Sequence, residues 1–339
     1  MACKMLFFDY RESEEKFFEE NCFENYEIKF FKESLNESTL SLLSEDDFEK
    51  TMIISVFITS TVSSEIISKF KNLRVISTRS TGYDHICINS CRNKNIALIN
   101  VDSYGSTAVS QFAMGLIIML VRNIKKILDS KQDESIIYQD FCGRDLNNLT
   151  LGIVGTGSIG AGVCKIAHCA GMNILAYDIR PKTELVSDCN VQYVDMDALL
   201  ANSDIVSLHL PYMLENYQMF SNEQFEKMKD GSYFINVSRG ELVDTDALLE
   251  YMKRGKFKGI GLDVVACLGV ESVNEDNREK SSVSCMQISN SVQELAKFPN
   301  VIITPHIAYD TQEAVDYILK ETFKSISDFI TGGHENRVI

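Results

Sequence analysis

The sequence predicts an α/β protein built from two doubly wound parallel sheets, and two observations lead to this fold class. Short apolar, β-rich runs alternate with helical patterns almost from end to end, which is typical of parallel α/β units. The chain has 339 residues, and at roughly 150 residues per domain this length favours two domains. Hydrophobic residues make up 45% of the chain, which argues against a disordered protein.

The first hundred residues contain one strand series. The predicted strands are residues 5–8, 27–31, 53–58, 74–77 and 97–101. Ser63 and Ser64 have hydroxyl groups that can cap a helix extending to Phe70. Residues 106–129 then show a helical pattern with apolar side chains on all sides. A helix of this kind is typically buried between domains or subunits.

A second strand series follows the polar stretch 131–148 and predicts the second sheet. Its predicted strands are residues 151–154, 173–177, 191–194, 205–208, 233–237, 259–264 and 301–304. Residues 269–291 are polar and have no clear period, so we expect a surface excursion there. The last helix, residues 312–331, ends at Gly332 and Gly333, a typical C-terminal stop.

Charge and composition argue against several classes of function. The chain has 33 Lys and Arg against 48 Asp and Glu, for a net charge of −15. Such a surface repels polyanions and anionic lipid, so neither nucleic acid nor a membrane is an expected partner. The longest apolar run, residues 112–121, is about half of the ~20 residues that a membrane span needs.

The cysteines and the N-terminus indicate a cytoplasmic protein without a metal site. None of the ten cysteines forms a C-x-x-C pair, and no histidine lies at metal-ligand spacing from the closest pairs. We therefore expect reduced thiols and no bound metal. The N-terminal segment has an acidic residue at Asp9, which leaves too short an apolar stretch for a secretion signal.

A glycine motif at the end of a predicted strand indicates a dinucleotide site. Gly155, Gly157 and Gly160 form G-x-G-x-x-G between strand 151–154 and the helical run 161–170. In such a motif the first glycine permits the tight turn, the second lets the pyrophosphate approach and the third permits helix–strand packing. The predicted cofactor-binding turn is Gly155, Thr156, Gly157, Ser158, Ile159 and Gly160.

An acidic residue at the end of the next strand favours NAD as the cofactor. Asp178 lies 23 residues after Gly155, where a carboxylate should accept the ribose hydroxyl groups and repel a 2′-phosphate. Arg180 is the one nearby feature that softens this preference for NAD over NADP. The alternative interpretation is a glycine-rich turn followed by a solvated aspartate.

Two further residues that follow strands suggest the chemistry. Of five histidines, His306 follows strand 301–304, whereas His85, His168 and His334 are interpreted as structural or solvated. Arg239 lies directly after strand 233–237, and its guanidinium can bind a carboxylate through two parallel hydrogen bonds. Each residue alone has an ordinary alternative, a loop histidine or a surface arginine paired with a neighbouring carboxylate. Together with a nucleotide site they predict hydride transfer to or from a 2-keto or 2-hydroxy acid.

At this point the chain resembles the D-isomer-specific 2-hydroxyacid dehydrogenase family, most closely its D-lactate dehydrogenase branch. The resemblance extends over nearly all of the chain after about Ile53. The motifs that carry it are residues 80–86, 155–160, 204–211, 236–244, 261–264 and 299–306.

The resemblance implies two domains with a cleft between them. Residues 1–102 and 305–339 would form a flavodoxin-like substrate-binding domain, and residues 103–304 a Rossmann-type NAD domain. The backbone at Thr81 and Gly82 would hold the substrate carboxylate, Tyr104 and Tyr309 would line the pocket, Arg239 would bind the substrate, and His306 would be the acid and base. The implied additional cofactor contacts are His209, Pro211, Val237 and Asp263, the last near the nicotinamide carboxamide.

One departure from the family pattern concerns the partner of the catalytic histidine. Relatives have a glutamate five residues beyond Asp263 that hydrogen-bonds this histidine, but this chain has Leu268, or Gly269 if one residue is inserted. Glu271 is the nearest carboxylate and the candidate substitute. Without an anion the histidine loses the interaction that raises its pKa and selects its tautomer.

Three functions therefore compete. The leading hypothesis is a cytoplasmic NAD-dependent dehydrogenase that reduces pyruvate or a similar small 2-keto acid to the D-2-hydroxy acid, assembled as a homodimer through the apolar helix 106–129. The alternative is a catalytically weakened NAD(H)-binding homologue that acts as a sensor or interaction module, as the loss of the glutamate allows. A phosphorylated substrate fits the acidic composition and the bulky Tyr104 and Tyr309 poorly.

Overall fold

The chain forms two structural units. A computed structural model describes residues 3–21, 23, 26–102, 104–130, 141–266 and 290–339. Unit 1 contains the described residues up to Tyr104 together with Thr311–Ile339. Unit 2 contains the described residues of 105–266 and 290–310.

Unit 1 is a five-stranded parallel sheet with helices on both faces. Its strand order is β2-β1-β3-β4-β5, the doubly wound order of flavodoxin-like folds. The strands are β1 (Cys3–Phe7), β2 (Tyr26–Phe30), β3 (Thr51–Val56), β4 (Val75–Thr78) and β5 (Ala97–Ile99). The helices are α1 (Glu15–Glu20), α2 (Glu45–Lys50), α3 (Ser64–Lys69), α4 (Ile88–Asn93) and α12 (Gln312–Ile330), with short 3-10 turns at Glu12–Glu14 and Thr39–Leu42.

The two faces of this sheet are buried by alternating residues of the strands. Met5 and Phe7 pack in the same core cluster as Ile326 of α12. Leu6 packs in a second cluster with Ile66 of α3. Because neighbouring side chains of a strand point to opposite faces, both faces of β1 are apolar, as a sheet covered on both sides requires.

The C-terminal tail covers the edge of this sheet. The Val338 N–H donates to the Leu98 carbonyl at 2.7 Å, and Ile99 forms an antiparallel bridge with Arg337. Pairing of this kind satisfies backbone groups on β5 that an uncovered edge strand would expose.

Unit 2 is a seven-stranded parallel sheet of order β12-β11-β10-β9-β6-β7-β8. This is the Rossmann order extended by one strand. The strands are β6 (Thr150–Val154), β7 (Asn173–Tyr177), β8 (Gln192–Tyr193), β9 (Ile205–Leu208), β10 (Ser232–Asn236), β11 (Phe257–Leu262) and β12 (Val301–Ile303). The helices are α5 (Ser106–Val121), α6 (Ile124–Asp129), α7 (Ser158–Cys169), α8 (Thr183–Cys189), α9 (Met196–Asn202), α10 (Asn222–Lys227) and α11 (Thr245–Lys253), with 3-10 turns at Leu146–Asn148, Leu214–Asn216 and Gly240–Leu242. Residues 290–296 are also helical.

The apolar helix predicted over residues 106–129 is two helices, which corrects that expectation. Asn123 adopts a left-handed conformation with φ 54°, and this residue separates α5 from α6. Most of α5 is buried within its own unit. It lies so close to α7 that a Cβ on Gly162 would come within 2.3 Å of the Ser110 hydroxyl. Much of the apolar surface of α5 is therefore covered by its own chain.

The predicted fold class is confirmed, and all twelve predicted strands are present. Most strands begin or end one or two residues from the predicted position. Most of the predicted excursion, residues 269–289, lies outside the described residues, whereas residues 290 and 291 belong to a helix. Among the described residues, none of the helices combines the length and the apolar character needed to cross a bilayer.

Candidate active site

The glycine turn after β6 requires residues without side chains at two positions. Gly155 has φ +94°, and a Cβ there would lie 2.7 Å from the His209 carbonyl oxygen. A Cβ on Gly160 would lie 2.0 Å from the Gly155 carbonyl oxygen. Both distances are far below van der Waals contact, so a side chain at either position would displace the turn. These constraints explain the first and third glycines of the motif.

Gly157 instead faces open space at the beginning of α7. No heavy atom lies within 4 Å of the position that its Cβ would take, and no side chain caps the helix at this residue. The first turn of an α-helix has backbone N–H groups without intrahelical acceptors and a positive dipole end. Residues 157–160 therefore offer the donors and the space that a pyrophosphate needs.

Asp178 follows β7 and is tied to the glycine turn. Its Oδ2 accepts the Thr156 N–H at 2.6 Å and the Thr156 hydroxyl at 3.0 Å, and its Oδ1 accepts the Arg180 N–H at 2.8 Å. Burial raises the pKa of this carboxyl, but the hydrogen bonds from Arg180 and Thr156 outweigh it and the pKa lies below its usual value. Asp178 is thus an anion at neutral pH.

His209 lies beneath the glycine turn at the end of β9. Its Nε2 is 2.9 Å from the Ser207 hydroxyl, while its Nδ1 is buried and has no hydrogen-bond partner among the described residues. Burial lowers the pKa of the imidazole to about 3, so the ring is neutral. Pro211 follows β9 and is exposed, and Val237 follows β10 and is buried. Both lie at the same edge of the sheet as the glycine turn. The unpartnered nitrogen and the open position at Gly157 both fit a bound dinucleotide.

Arg239 stands on a turn that begins where β10 ends. The Asn236 side chain accepts the Ser238 N–H at 3.0 Å and donates to the Arg239 carbonyl at 2.8 Å. The Arg239 guanidinium is half-buried and donates to the Ser238 carbonyl at 2.9 Å. A Cβ on the next residue, Gly240, would lie 2.0 Å from the Ala266 nitrogen. This close approach holds the arginine turn against the chain that follows β11.

His306 stands on a turn after β12 that is held by Asp263. The His306 N–H donates to the Asp263 main-chain oxygen at 2.9 Å. The Asp263 carboxylate, 1% exposed, accepts the Thr304 hydroxyl at 2.6 Å and the N–H groups of Ile307 and Ala308 at 3.0 and 2.9 Å. Burial raises the pKa of Asp263 despite these bonds. Its carboxylate therefore supports the histidine turn.

Arg239 and His306 act on each other electrostatically. Burial, and next the positive charge of Arg239, lower the pKa of the His306 imidazole to about 4. Both residues follow strand ends on the carboxyl side of one parallel sheet, where α/β proteins bind their ligands. Leu268, Gly269 and Glu271, the positions considered for the partner of the histidine, lie outside the described residues.

In unit 1, the loop after β4 contains Thr81 and Gly82. The Asn100 side chain donates to the Thr81 carbonyl at 3.0 Å, and the Thr81 hydroxyl donates to the Val101 carbonyl at 3.0 Å. Within the described part of unit 1, the N–H groups of Thr81 and Gly82 have no acceptor. This loop can therefore donate two backbone hydrogen bonds to an anion. Tyr104 is half-buried at the end of the unit.

Tyr309 belongs to unit 2 and packs beside Gly105. Tyr309 is 6% exposed, and a Cβ on Gly105 would lie 3.3 Å from the Tyr309 Cβ. The absence of a side chain at Gly105 thus leaves room for the tyrosine. Within the described ranges, no group of three or more histidine, cysteine or acidic residues is arranged to hold a metal ion.

A family model for the D-isomer specific 2-hydroxyacid dehydrogenase NAD-binding domain matches residues 114–308. The match covers more than half of the chain and includes the glycine turn, Arg239 and His306. The chain belongs to this family. The predictions of NAD as the cofactor and of an NAD-dependent oxidoreductase acting on the CH–OH group are thereby confirmed.

Individual relatives cover most of the chain. A D-specific alpha-keto acid dehydrogenase of Enterococcus faecium is 37% identical over 281 residues, 81% of this chain and 82% of the relative. An aromatic 2-oxoacid reductase of Clostridium sporogenes is 32% identical over 81% of this chain and 82% of the relative. The crystal structure of an Aquifex aeolicus D-lactate dehydrogenase with NAD and lactic acid has 34% identity and a TM-score of 0.84, covering 98% of both chains. The similarity to D-lactate dehydrogenases is therefore confirmed.

Several residues that organise the site were not predicted from the sequence of this dehydrogenase. Asn236 holds the arginine turn, Thr304 joins Asp263 to the histidine turn, and the Tyr193 hydroxyl donates to the Thr156 hydroxyl at 3.0 Å. A polar residue at the last position of an apolar strand, such as Asn236, is a signal for a side chain that hydrogen-bonds the following turn. Tyr193 has no comparable local signal, because its contact depends on the pairing of β7 with β8.

Proposed function

We propose that this protein is an NAD-dependent D-2-hydroxyacid dehydrogenase that reduces pyruvate or a similar small 2-keto acid to the D-2-hydroxy acid, D-lactate in the case of pyruvate. The observation that carries the proposal is that Arg239 and His306 follow β10 and β12 at the carboxyl edge of one sheet, where the charge of Arg239 contributes to lowering the pKa of the His306 imidazole. A fixed cation beside a titratable imidazole provides both an anion-binding group and a proton donor for a keto acid.

We assign to Arg239 the binding of the substrate carboxylate and carbonyl oxygen. Its guanidinium can donate two parallel bonds to a carboxylate. The N–H groups of Thr81 and Gly82 are assigned to the same carboxylate, because they have no acceptor in the described part of their unit. Bidentate binding by Arg239 would align the carbonyl carbon for reaction.

His306 is assigned the proton transfer. In the reductive direction its imidazolium donates a proton to the developing alkoxide, and in the oxidative direction the neutral ring accepts the hydroxyl proton. Bound NADH supplies the hydride. Asp263 orients the turn that carries His306, through its bonds to Thr304, Ile307 and Ala308.

The cofactor contacts are proposed on unit 2. The backbone of residues 155–160 is proposed to bind the pyrophosphate of the cofactor, and Asp178 is proposed to bind the adenosine ribose. The neutral ring of His209 is assigned a cofactor contact because its Nδ1 is buried without a partner among the described residues. Pro211, Val237 and Asp263 are proposed to line the remaining cofactor surface, and unit 2 is accordingly proposed as the NAD domain and unit 1 as the substrate domain.

A small substrate is favoured by the aromatic residues assigned to the pocket. Tyr309 is buried against Gly105, and Tyr104 is half-buried, so both are bulky groups with restricted freedom. The relatives include proteins described as acting on lactate and on aromatic 2-oxo acids. A panel of keto acids with different side chains is therefore the appropriate assay.

A homodimer in the cytoplasm is proposed as the state of the protein. Ile118 on α5 is 40% exposed, and Ile127 and Leu128 on α6 are 44% and 70% exposed. Exposed aliphatic residues on one helical segment are a common feature of subunit interfaces. The cytoplasm is proposed because ten cysteines without a C-x-x-C pair favour a compartment in which thiols stay reduced.

One observation favours the alternative of a weakened homologue that binds NAD(H) as a sensor or interaction module. The pKa of His306 is lowered to about 4 by burial and Arg239, so few imidazolium ions exist at neutral pH. In the family pattern that the sequence resembles, a glutamate at the position of Leu268 would raise this pKa. If neither Glu271 nor another group replaces that anion, reduction is slow near neutrality although the cofactor still binds.

The deciding experiment is NADH oxidation with pyruvate, 2-ketobutyrate, 2-ketoisocaproate and phenylpyruvate, followed by chiral chromatography of the product. The proposal predicts turnover with at least one short-chain keto acid and formation of the D-isomer. Binding of NADH without turnover of any keto acid between pH 5 and 8 would favour the weakened homologue. An L-product would contradict both.

A further inference from the structure

A continuous chain of hydrogen bonds lies beneath the loop that contains Thr81 and Gly82. Thr78 ends β4, and its hydroxyl is 2.6 Å from the Ser80 hydroxyl and 3.1 Å from His85 Nε2. The Ser80 hydroxyl is 2.6 Å from the Gly82 carbonyl oxygen. Thr78, Ser80 and His85 are at most 3% exposed, so water does not compete for the bonds among these three side chains.

The direction of each bond follows from the number of protons available. The Gly82 carbonyl can only accept, so the single hydroxyl proton of Ser80 is donated to it. Ser80 must then accept from Thr78, whose single hydroxyl proton is thereby used. Thr78 can only accept from the imidazole, so His85 carries a proton on Nε2. The chain runs from His85 through Thr78 and Ser80 to the Gly82 carbonyl, and it determines which nitrogen of His85 is protonated.

This chain completes the fixation of three consecutive peptide groups. The Ser80 carbonyl accepts the Val101 N–H at 3.2 Å, and the Thr81 carbonyl accepts the Asn100 side chain at 3.0 Å. The Gly82 carbonyl accepts the Ser80 hydroxyl. In a trans peptide the N–H points opposite to the carbonyl. Holding the three carbonyls therefore sets the directions of the N–H groups of Thr81, Gly82 and Tyr83.

We propose that Thr78, Ser80 and His85 are positioning residues that orient the backbone donors of this loop toward the substrate carboxylate. The proposal rests on the proposed function, which assigns that carboxylate to Thr81 and Gly82. The residues do not touch the substrate. They act through the bond from the Ser80 hydroxyl to the Gly82 carbonyl, which ties the two ends of the loop together around the peptide groups that contain the Thr81 and Gly82 N–H groups. Preorganised donors bind an anion more tightly than donors that must first be ordered.

The protonation of His85 can be observed without any enzyme assay. The protein has five histidines, so ¹⁵N NMR of the ring-labelled, NAD-saturated chain, with the His85→Gln variant for assignment, can identify its signals. We expect Nε2 of His85 to be protonated at neutral pH. A neutral His85 with its proton on Nδ1 alone would overturn the bond directions and hence the proposal.

The effect on anion binding is tested with a matched pair of variants. Thr78→Val removes the hydroxyl and keeps the branched shape, whereas Thr78→Ser keeps the hydroxyl. We expect Thr78→Val to raise KM for the keto acid about tenfold, the usual size of one hydrogen bond to a charged group, with kcat within threefold of the parent. Thr78→Ser should remain within threefold of the parent in both constants, and the Kd for NADH should not change in either variant. A parent-like KM in a folded Thr78→Val protein would overturn the proposal.

A binding measurement separates failure of this proposal from failure of the proposed function. Oxamate has a carboxylate beside a carbonyl group and can be titrated into the NAD-saturated protein by amide NMR. We expect it to shift the Thr81 and Gly82 amide signals, and to do so only at about tenfold higher concentration in Thr78→Val. These shifts in a protein that turns over no keto acid would refute the proposed function alone. Their absence in the parent, with turnover intact, would refute the positioning of the loop.

Discussion

Asp263 holds His306 in a backbone conformation that residues other than glycine rarely adopt. His306 has φ 55°, and its N–H donates to the main-chain oxygen of Asp263 at 2.9 Å. The Asp263 carboxylate accepts three further bonds from the same turn. A left-handed conformation costs of order 1–3 kcal/mol and persists only where the surroundings enforce it. Asp263 provides much of that enforcement.

Asp263→Asn is expected to damage both stability and turnover. The asparagine amide would place an N–H₂ group against the N–H of Ile307 or of Ala308, so at least one buried bond to a charged group is lost, at about 1.5–3 kcal/mol. We expect the free energy of unfolding to fall by this amount and kcat to fall about tenfold or more, because His306 moves. Denaturant titration and steady-state kinetics measure the two effects.

Asp195→Asn is the matched control for this change. Asp195 caps α9 by accepting the Ala198 N–H at 2.7 Å, and asparagine caps helices about as well. This variant should keep the parent's stability and kcat. If Asp263→Asn also keeps the parent's kcat, the assigned support of the histidine turn is wrong.

NADH is expected to be preferred over NADPH because Asp178 is ionised. Its carboxylate would face the 2′-phosphate with like charge, at a cost of about 1–3 kcal/mol, or roughly ten- to a hundredfold in kcat/KM. Asp178→Asn removes the charge and should reduce the preference for NADH, mainly by raising kcat/KM for NADPH. The measurement is kcat/KM for both cofactors in both proteins. Equal values in the parent would refute the assignment of Asp178 to the ribose.

The pH dependence of reduction should reflect the lowered pKa of His306. Reduction needs the imidazolium, whose fraction falls as the pH rises through the pKa, and burial and Arg239 lower that pKa to about 4. We therefore expect kcat/KM for the keto acid to decrease with rising pH, with an apparent pKa below the ordinary value of about 6.5. A pH profile of the free enzyme checks this directly.

Leu268→Glu tests the same electrostatics in the opposite direction. A carboxylate beside the imidazole would stabilise the imidazolium. The decrease of kcat/KM with rising pH should therefore move toward alkaline pH, and kcat near neutrality should rise. Folding of the variant must be verified, because the change replaces an apolar side chain by a charged one. An unchanged profile in Leu268→Glu, together with loss of activity in Glu271→Gln, would mean that Glu271 already serves the histidine.

Assembly as a homodimer is expected to involve the exposed aliphatic residues of α5 and α6. Light scattering should give twice the chain mass of 38.3 kDa. Leu128→Glu places a charge on a residue that is 70% exposed and should weaken the dimer without unfolding the chain. Leu214→Glu is the control, because Leu214 is 64% exposed and lies outside α5 and α6. A monomer at micromolar concentration in the parent would refute the dimer.

The strands could be predicted because parallel strands covered on both faces appear as continuous apolar runs. The division of the predicted helix 106–129 could not be predicted in this way. It depends on Asn123 adopting a left-handed conformation, and the apolar pattern continues on both sides of this residue. Hydrophobic periodicity reports burial, whereas a break in a helix depends on backbone conformation at one residue.

The candidate site was predictable where a functional residue directly follows a strand. Gly155, Arg239 and His306 all have this position, and parallel strands bring their carboxyl ends to one edge of the sheet. The bonds between Asp263 and residues 304–308 join segments more than forty residues apart. They arise from the pairing of β11 with β12, which local sequence patterns do not encode. Local sequence patterns likewise do not reveal the hydrogen-bond chain that contains His85.

The assignment of Arg239 to the substrate is tested by kcat/KM for pyruvate and NADH in Arg239→Lys. Lysine keeps the charge but cannot reproduce the bidentate geometry that aligns the keto acid, so we predict a loss of at least about a hundredfold. Arg254→Lys, which changes an exposed arginine paired with Glu250, should match the parent. An Arg239→Lys enzyme within threefold of the parent would refute the proposed function, because Arg239 would then be a surface residue without a role in the reaction.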